Sequence, residues 1–218
     1  MSEDIFDELS NSVLTFESDE VKKTTQKALE KGIDPIDIIE KGFTKALKIV
    51  GDEYEKGEFF LMELIAAADC VKKVLDEILN PLILNKKNRR KTLGVIVLGT
   101  VKGDIHEIGK NIIASFLFAA GFDVHNIGTD VSVETFVEKA REVNADVVGA
   151  SALLSTTLPE QEKIVEAFKS AGLRDKIKLI FGGSPVTEQW VNDIEGDGFA
   201  GTPLEAVKLV KRLLNINE

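Results

Sequence analysis

The sequence predicts an α/β protein, with a helical N-terminal half followed by a flavodoxin-like (Rossmann-like) five-stranded parallel sheet covered by helices on both faces. Three observations predict it. Apolar residues recur at helical spacing through the first 84 positions, the grammar changes at Thr92, and from there apolar strand-like runs alternate with helical segments.

In the first half, Ile5, Leu9, Val13 and Phe16 define one helix. A second runs from about Ser18, an expected N-cap, to Lys31, with Gly32 stopping it. Asp34-Pro35 supplies an N-cap and a first-turn proline to a third. It carries Ile38, Ile39, Phe43, Ala46, Leu47 and Val50 toward a core and ends near Gly57. The fourth spans about Phe59 to Leu79 and is expected to halt at Asn80-Pro81. Short connections make these a four-helix bundle, a domain over 1–84, followed by a charged linker over 85–91.

The second domain, 92–218, opens with the continuous apolar run Leu93 to Leu98, as expected for a strand covered on both faces. A helix from Gly109 to Ala120 follows, then a weaker strand over Asp123 to Ile127 and a helix from Val133 to Val143. Strand Val147 to Ser151, helix Leu158 to Ser170 and strand Ile177 to Phe181 come next. A short helix around Thr187 to Ile194, a short strand Gly198 to Ala200 and a helix from Pro203 to Leu214 complete the order. Successive βα units imply a parallel sheet, with a ligand crevice at the carboxyl ends of its strands.

Composition excludes several classes. A net charge of −10 argues against a general role on nucleic acid. The basic run Lys86 to Lys91 reads as a solvated linker. Cys70 is the only cysteine, so no intramolecular disulfide forms, and its apolar neighbours make it a packed core thiol. The acidic N-terminus does not resemble a signal peptide, and no apolar run reaches the length of a membrane span. A soluble cytoplasmic protein is expected.

The chemistry is expected just past the strand ends. The first strand leads into Gly103-Asp104-Ile105-His106-Glu107-Ile108-Gly109, the third into Ser151, Leu153, Ser155, Thr156 and Thr157, and the fourth into Gly182-Gly183-Ser184-Pro185. A P-loop is rejected, because Gly103 and Gly109 enclose five residues and Lys110 precedes Asn111 rather than a hydroxyl residue. No Gly-x-Gly-x-x-Gly follows the first strand, and Asp146 begins the third strand instead of ending it, which rejects a phospho-acceptor receiver. Asp104-x-His106-x-x-Gly109 remains. Imidazole ligates transition metals, and a carboxylate on its other nitrogen fixes the tautomer. Gly109 leaves room for a large ligand at the helix start, and Gly182 and Gly183 leave room for its tail. On these residues alone, a plain hydrogen-bonded surface pair is the commoner arrangement. Lys102, Glu107 and Lys110 read as solvated or partner-facing, and His125 as exposed or locally satisfied.

Asp104, His106 and Gly109, then Ser151 and Leu153, then Gly182 and Gly183 resemble the Asp-x-His-x-x-Gly, Ser-x-Leu and Gly-Gly pattern of the cobalamin-binding domain of B12-dependent methyltransferases. Val50 to Leu61 similarly resembles the helical cap that precedes that domain in methionine synthase and in methyl-carrying corrinoid proteins. The size of the chain is most similar to the small corrinoid proteins of the methanol, methylamine, betaine and methoxyarene systems.

The resemblance implies a cobalamin cofactor, alternating between cob(I)alamin and methylcobalamin, bound with its own base off cobalt and His106 as the lower ligand. It implies a relay from His106 through Asp104 to Thr157. The loop residues Gly103, Ile105, Glu107, Ile108 and Gly109 would line the cofactor, and Ser151, Leu153, Ser155, Gly182 and Gly183 would hold its tail. Phe199 and Gly201 would lie in a loop closing over the base, and Tyr54, Leu61 and Leu64 of the cap would cover the upper face. Implied partners are a substrate-specific methyltransferase, a methyl-accepting methyltransferase and a reductive activation protein, with no nucleic acid and no membrane. The chain would carry the methyl group without catalysing its transfer alone. Two other uses of such a domain are weighed: a B12-sensing regulator, for which the N-terminus lacks a basic DNA-binding module, and the small subunit of an adenosylcobalamin mutase, which generally lacks this cap.

Overall fold

Apolar positions three and four apart close the first half into helices. A computed structural model of the chain describes residues 2–85 and 92–216. Its first segment holds α1 (Ser2–Val13), α2 (Ser18–Glu30), α3 (Pro35–Asp37), α4 (Thr44–Glu55), α5 (Leu61–Val74) and α6 (Asn80–Asn85). A π-helical stretch, Ile38–Phe43, joins α3 to α4, and another, Leu75–Leu79, joins α5 to α6. Four continuous rods result among the described residues. Their apolar stripes, including Leu9, Ile39, Phe43, Leu47, Leu64 and Val71, are buried. Asp34 caps as expected, its side chain accepting the Ile36 N–H at 2.9 Å ahead of Pro35.

Three expectations for this half are corrected. Ser18 is the first helical residue and not the cap; its hydroxyl lies 3.4 Å from Cys70 Sγ, a contact between rods that the local sequence does not reveal. Phe16 is not part of α1 but sits in the following turn at φ +62, its ring edge-on to Phe59 with centroids 5.6 Å apart. Asn80-Pro81 does not stop the last rod. Proline lacks an N–H and crowds the carbonyl of the preceding turn, and the wider π turn of Leu75–Leu79 lies directly ahead of it. The helix therefore runs to Asn85, and the remaining linker positions, 86–91, lie outside the described residues.

The second segment alternates strand and helix: β1 (Val95–Thr100), α7 (Ile108–Ala119), β2 (Asp123–Asn126), α8 (Val133–Glu142) and β3 (Val147–Ser151). Then come α9 (Pro159–Ser170), β4 (Lys178–Gly182), α10 (Glu188–Asp193), β5 (Gly198–Phe199) and α11 (Pro203–Leu213). All the strands are parallel, in the order β2-β1-β3-β4-β5. This is the flavodoxin-like order expected from the sequence. Contacts divide the described chain into two compact units, one carrying α1 to α6 and the other the sheet.

Alternation sorts the sheet faces. Val97, Val148, Ala150, Leu179 and Phe181 point to one buried layer shared with Phe136, Ile164, Phe168 and Val191, while Ile96, Leu98 and Ile180 are buried outside that layer. Acidic residues fix the strand starts: Asp146 Oδ2 accepts the Val95 N–H at 2.8 Å, and Asp197 Oδ2 accepts that of Leu179 at 2.7 Å. The dismissal of Asp146 as a phospho-acceptor stands, since it clamps the start of β1. No described helix is long and apolar enough to cross a membrane.

Candidate functional site

The register aligns three strand ends. Thr100 pairs with Ser151, and Ser151 with Gly182, so the loops after β1, β3 and β4 leave the sheet at one level. This is the edge where order reverses between β1 and β3, the usual crevice of an open parallel sheet. The β1 loop turns at Gly103, φ +81, and the Thr100 hydroxyl donates to His106 O at 2.8 Å, folding the loop back on its own strand.

Asp104 is fully buried. Its Oδ1 accepts the His106 backbone N–H at 3.0 Å and faces His106 Nδ1 at 2.7 Å. Its Oδ2 accepts the N–H groups of Leu153 and Leu154 at 2.7 and 3.2 Å, and the Thr157 hydroxyl at 2.9 Å. Burial alone raises the carboxyl's pKa. The donors from His106, Leu153 and Thr157 outweigh it and hold the group well below the usual carboxylate range. Asp104 is therefore an ionised acceptor, and Nδ1 of a neutral His106 must carry the proton. Nε2 is left with its lone pair, in a side chain 46% exposed.

The surroundings of that imidazole suit a large, flat, partly apolar ligand. Ile105, Ile108, Leu153 and Leu154 are exposed next to it in sequence or on the segment bonded to Asp104. A Cβ on Gly109 would meet nothing within 4 Å, so the opening turn of α7 is bare. Among the described residues no three His, Cys, Asp or Glu side chains gather to hold a bare metal ion. A single free imidazole nitrogen suits a metal that brings most of its own ligands, and the residues present fit a corrinoid.

The other singled-out residues divide. Ser151 is half-buried at the crevice, Ser155 and Glu107 are exposed, and Thr157 is buried against Asp104. The expectation that Gly182 and Gly183 are glycine to admit a ligand tail is sharpened. A Cβ on Gly183, φ +125, would lie 1.8 Å from Ala152 O, so backbone packing already demands that glycine, whereas one on Gly182 would make only a tight 3.2 Å contact with Ala200 O. Gly201 and Thr202 donate their N–H groups to Glu205, forming the cap of α11, with Phe199 half-buried beside them. In the helical unit, Tyr54 is half-buried, Leu61 exposed and Leu64 buried.

Lys110 is corrected: it is buried, not solvated, with its ammonium 3.0 Å from Asn111 Oδ1 and also donating to Asn126 Oδ1. Burial lowers its pKa. Lys102 is exposed and pairs with Asp130, and His125 Nε2 lies 3.5 Å from Asp123 Oδ2.

Sequence reasoning missed Leu154, whose N–H reaches Asp104, and Gln161, whose buried amide donates to Ala150 O at 3.0 Å and Gly182 O at 3.2 Å. Trp190 Nε1 in turn donates to Gln161 Oε1 at 3.0 Å. A buried helical glutamine is a detectable anomaly in sequence, but its partners are not.

Residues 94–208 and 5–79 each match a family model described as a B12 binding domain. A trimethylamine corrinoid protein of Methanosarcina mazei is 40% identical over 214 residues, 98% of each chain. A dimethylamine corrinoid protein of Methanosarcina acetivorans is 42% identical over 213 residues, 97% of this chain and 98% of that one. A chain of the methanol:cobalamin methyltransferase complex from Methanosarcina barkeri superposes with a TM-score of 0.81 at 26% identity, over 98% of this chain and 81% of that one. With the strand-end loop, the bare helix turn and these likenesses together, the chain belongs to the B12-binding family of methyltransferase corrinoid proteins, and its cofactor is a cobalamin-type corrinoid.

Proposed function

We propose that this protein carries a methyl group on a corrinoid held base-off with His106 as its lower axial ligand, between a substrate-specific methyltransferase and a second, methyl-accepting one. The observation that carries the reading is the exposed His106 ring with Nδ1 tied to a buried carboxylate and Nε2 left with its lone pair. When bound, the corrinoid supplies a cobalt centre able to accept and release a methyl group.

The chain's own residues supply ligation, orientation and proton bookkeeping. Asp104 fixes the His106 tautomer, and Thr157, donating to Asp104 Oδ2, supports the negative charge behind it. The Thr157 hydroxyl also lies 2.9 Å from Leu154 O. It has one proton for two acceptors, so it can turn from carboxylate to carbonyl if Asp104 takes up a proton. Ser151, Leu153, Ser155, Gly182 and Gly183 would hold the cofactor's nucleotide tail, with Phe199 and Gly201 closing over its base. Gly103, Ile105, Glu107, Ile108 and Gly109 would line the lower face of the bound corrinoid. Of the cap residues, half-buried Tyr54 and exposed Leu61 would be available to the cofactor's upper face, whereas Leu64 is buried. The methyl donor is chosen by the partner enzyme, with trimethylamine and dimethylamine systems favoured by the relatives' names. A reductive activation protein would be a further partner.

Reconstitution with hydroxocobalamin followed by visible spectroscopy tests this. The wild type should retain cobalamin with its own base displaced, and His106→Ala should change the spectrum. Failure to retain cobalamin, or an unchanged spectrum, would overturn the reading. Methyl-transfer assays with partner enzymes and methylated amines, methanol, betaine or methoxyarenes then identify the donor.

A further inference from the structure

The turn between β2 and α8 braces the loop that carries the Asp104–His106 pair. Asp130 stands in it at φ +53, a left-handed backbone that aspartate tolerates better than most residues. Its N–H donates to Asp104 O at 2.8 Å, while its Oδ1 accepts the Gly103 N–H at 2.8 Å. One residue therefore grips the Gly103-Asp104 pair by a donor and an acceptor at once. Backbone bonds flank the grip: the Thr100 N–H donates to Gly128 O and the Val131 N–H to Thr100 O, both at 3.0 Å.

The His106 ring is held through Asp104, whose Oδ1 binds both the backbone N–H and the ring of the histidine, while Thr100 holds only its carbonyl. With its carbonyl and the preceding N–H fixed, the Asp104 backbone stands where its carboxylate reaches the ring. Lys102 also meets Asp130 Oδ1, at 3.0 Å, but both partners are about half exposed, and such pairs contribute little. The contact with Gly103, not the charge, is the part that positions.

We propose that Asp130 is a positioning residue for the His106–cobalt bond, setting how fully His106 occupies the lower axial position by clamping Gly103 and Asp104. The inference rests on the reading of His106 as lower ligand.

Electron paramagnetic resonance of cob(II)alamin bound to uniformly ¹⁵N-labelled protein tests it. A labelled histidine on cobalt splits the lines into doublets, the cofactor's own unlabelled base into triplets, and no axial nitrogen leaves them unsplit. Asp130→Asn keeps an acceptor oxygen and tolerates the left-handed backbone, Asp130→Gly keeps the backbone without the acceptor, and Lys102→Gln removes only the charge. The wild type, Asp130→Asn and Lys102→Gln should show the same histidine-on fraction. Asp130→Gly should lower the ratio of histidine-on to histidine-off cobalt by about three- to tenfold, the worth of one hydrogen bond. Should Asp130→Gly not load, Asp130→Ser, whose hydroxyl stops short of Gly103, carries the same expectation. An unchanged ratio in the variant lacking the acceptor overturns the proposal, and so does an Asp130→Asn ratio as low as that of Asp130→Gly. A wild type without the ¹⁵N doublet overturns the reading of His106 itself, which keeps the two failures apart.

Discussion

Asp104 Oδ1 lies 2.7 Å from the Nδ1 of His106 and 3.0 Å from the backbone nitrogen of the same residue, so one oxygen fixes both the ring and its attachment point. The other oxygen is saturated by Leu153, Leu154 and Thr157 from the far side of the crevice. A residue two positions away in sequence and a segment some fifty positions away thus meet on a single carboxylate, which joins the β1 loop to the β3 loop.

Asp104→Asn tests the tautomer argument. The two N–H groups of Leu153 and Leu154 outnumber the single backbone N–H of His106 on the other oxygen, so the amide oxygen should take the Oδ2 position and the amide NH₂ should face His106. Nδ1 then becomes an acceptor and the ring proton moves to Nε2, the atom needed for ligation. The variant should fold, bind cobalamin weakly and lack the histidine-on spectrum of the wild type. A wild-type spectrum from this variant would sink the tautomer argument.

Acid should weaken the cofactor unit through the same group. The folded-state pKa of Asp104 is depressed, so below the unfolded value the unfolded chain binds a proton that the folded chain refuses. Its contribution is complete above about pH 4 and declines as pH falls toward the folded value. Urea unfolding of the apoprotein between neutral pH and pH 3 should show a steeper loss for the wild type than for Asp104→Asn. Parallel curves would mean that Asp104 does not carry this contribution.

Two glycines should respond in opposite ways to alanine. Gly183→Ala drives a Cβ to 1.8 Å from Ala152 O at φ +125 and should cost about 3 kcal/mol or more, read from urea or thermal unfolding. Gly109→Ala enters open space at the start of α7 and should gain up to about 1 kcal/mol from helix propensity. Its cobalamin affinity, measured by absorbance titration, should nevertheless fall, because the methyl group stands where the ligand approaches. A gain in stability with unchanged affinity would place the corrinoid elsewhere.

Thr157→Val removes the hydroxyl from a buried carboxylate and should cost about 1–2 kcal/mol, whereas Thr157→Ser should cost less than about half of that. A Thr157→Val loss in urea unfolding no larger than that of Thr157→Ser would mean that the hydroxyl contributes no more than the methyl group that serine lacks.

Much of this arrangement was legible in the sequence because it obeys local rules. Apolar runs from Val95 to Leu98 and at Val147-Val148 mark covered strands, and βα alternation restricts the sheet to a few orders, of which β2-β1-β3-β4-β5 is the one observed. Asp104 and His106 stand out as a pattern, the family resemblance adds Thr157, and the folded chain brings Asp104 into hydrogen bonds with both of the others. What escaped depends on distant partners. Ser18 satisfies cap statistics, yet lies against Cys70; Pro81 satisfies stop statistics, yet the π turn before it lets the helix continue. Lys110 looked solvated because lysine usually is, and its burial is offset by Asn111 and by Asn126 at the end of a neighbouring strand. Leu154 acts through its own N–H, and Asp130 grips the backbone of Gly103 and Asp104, partners that no side-chain pattern encodes.

Trp190 is the only tryptophan in the chain, and its indole N–H is bonded to the glutamine that ties Ala150 O to Gly182 O. The protein thereby contains its own optical gauge. Emission from this single fluorophore reports on the layer beneath the crevice without any label. Overlap of that emission with the absorption bands of a corrinoid would make loading visible as quenching, in real time and at concentrations too low for absorbance.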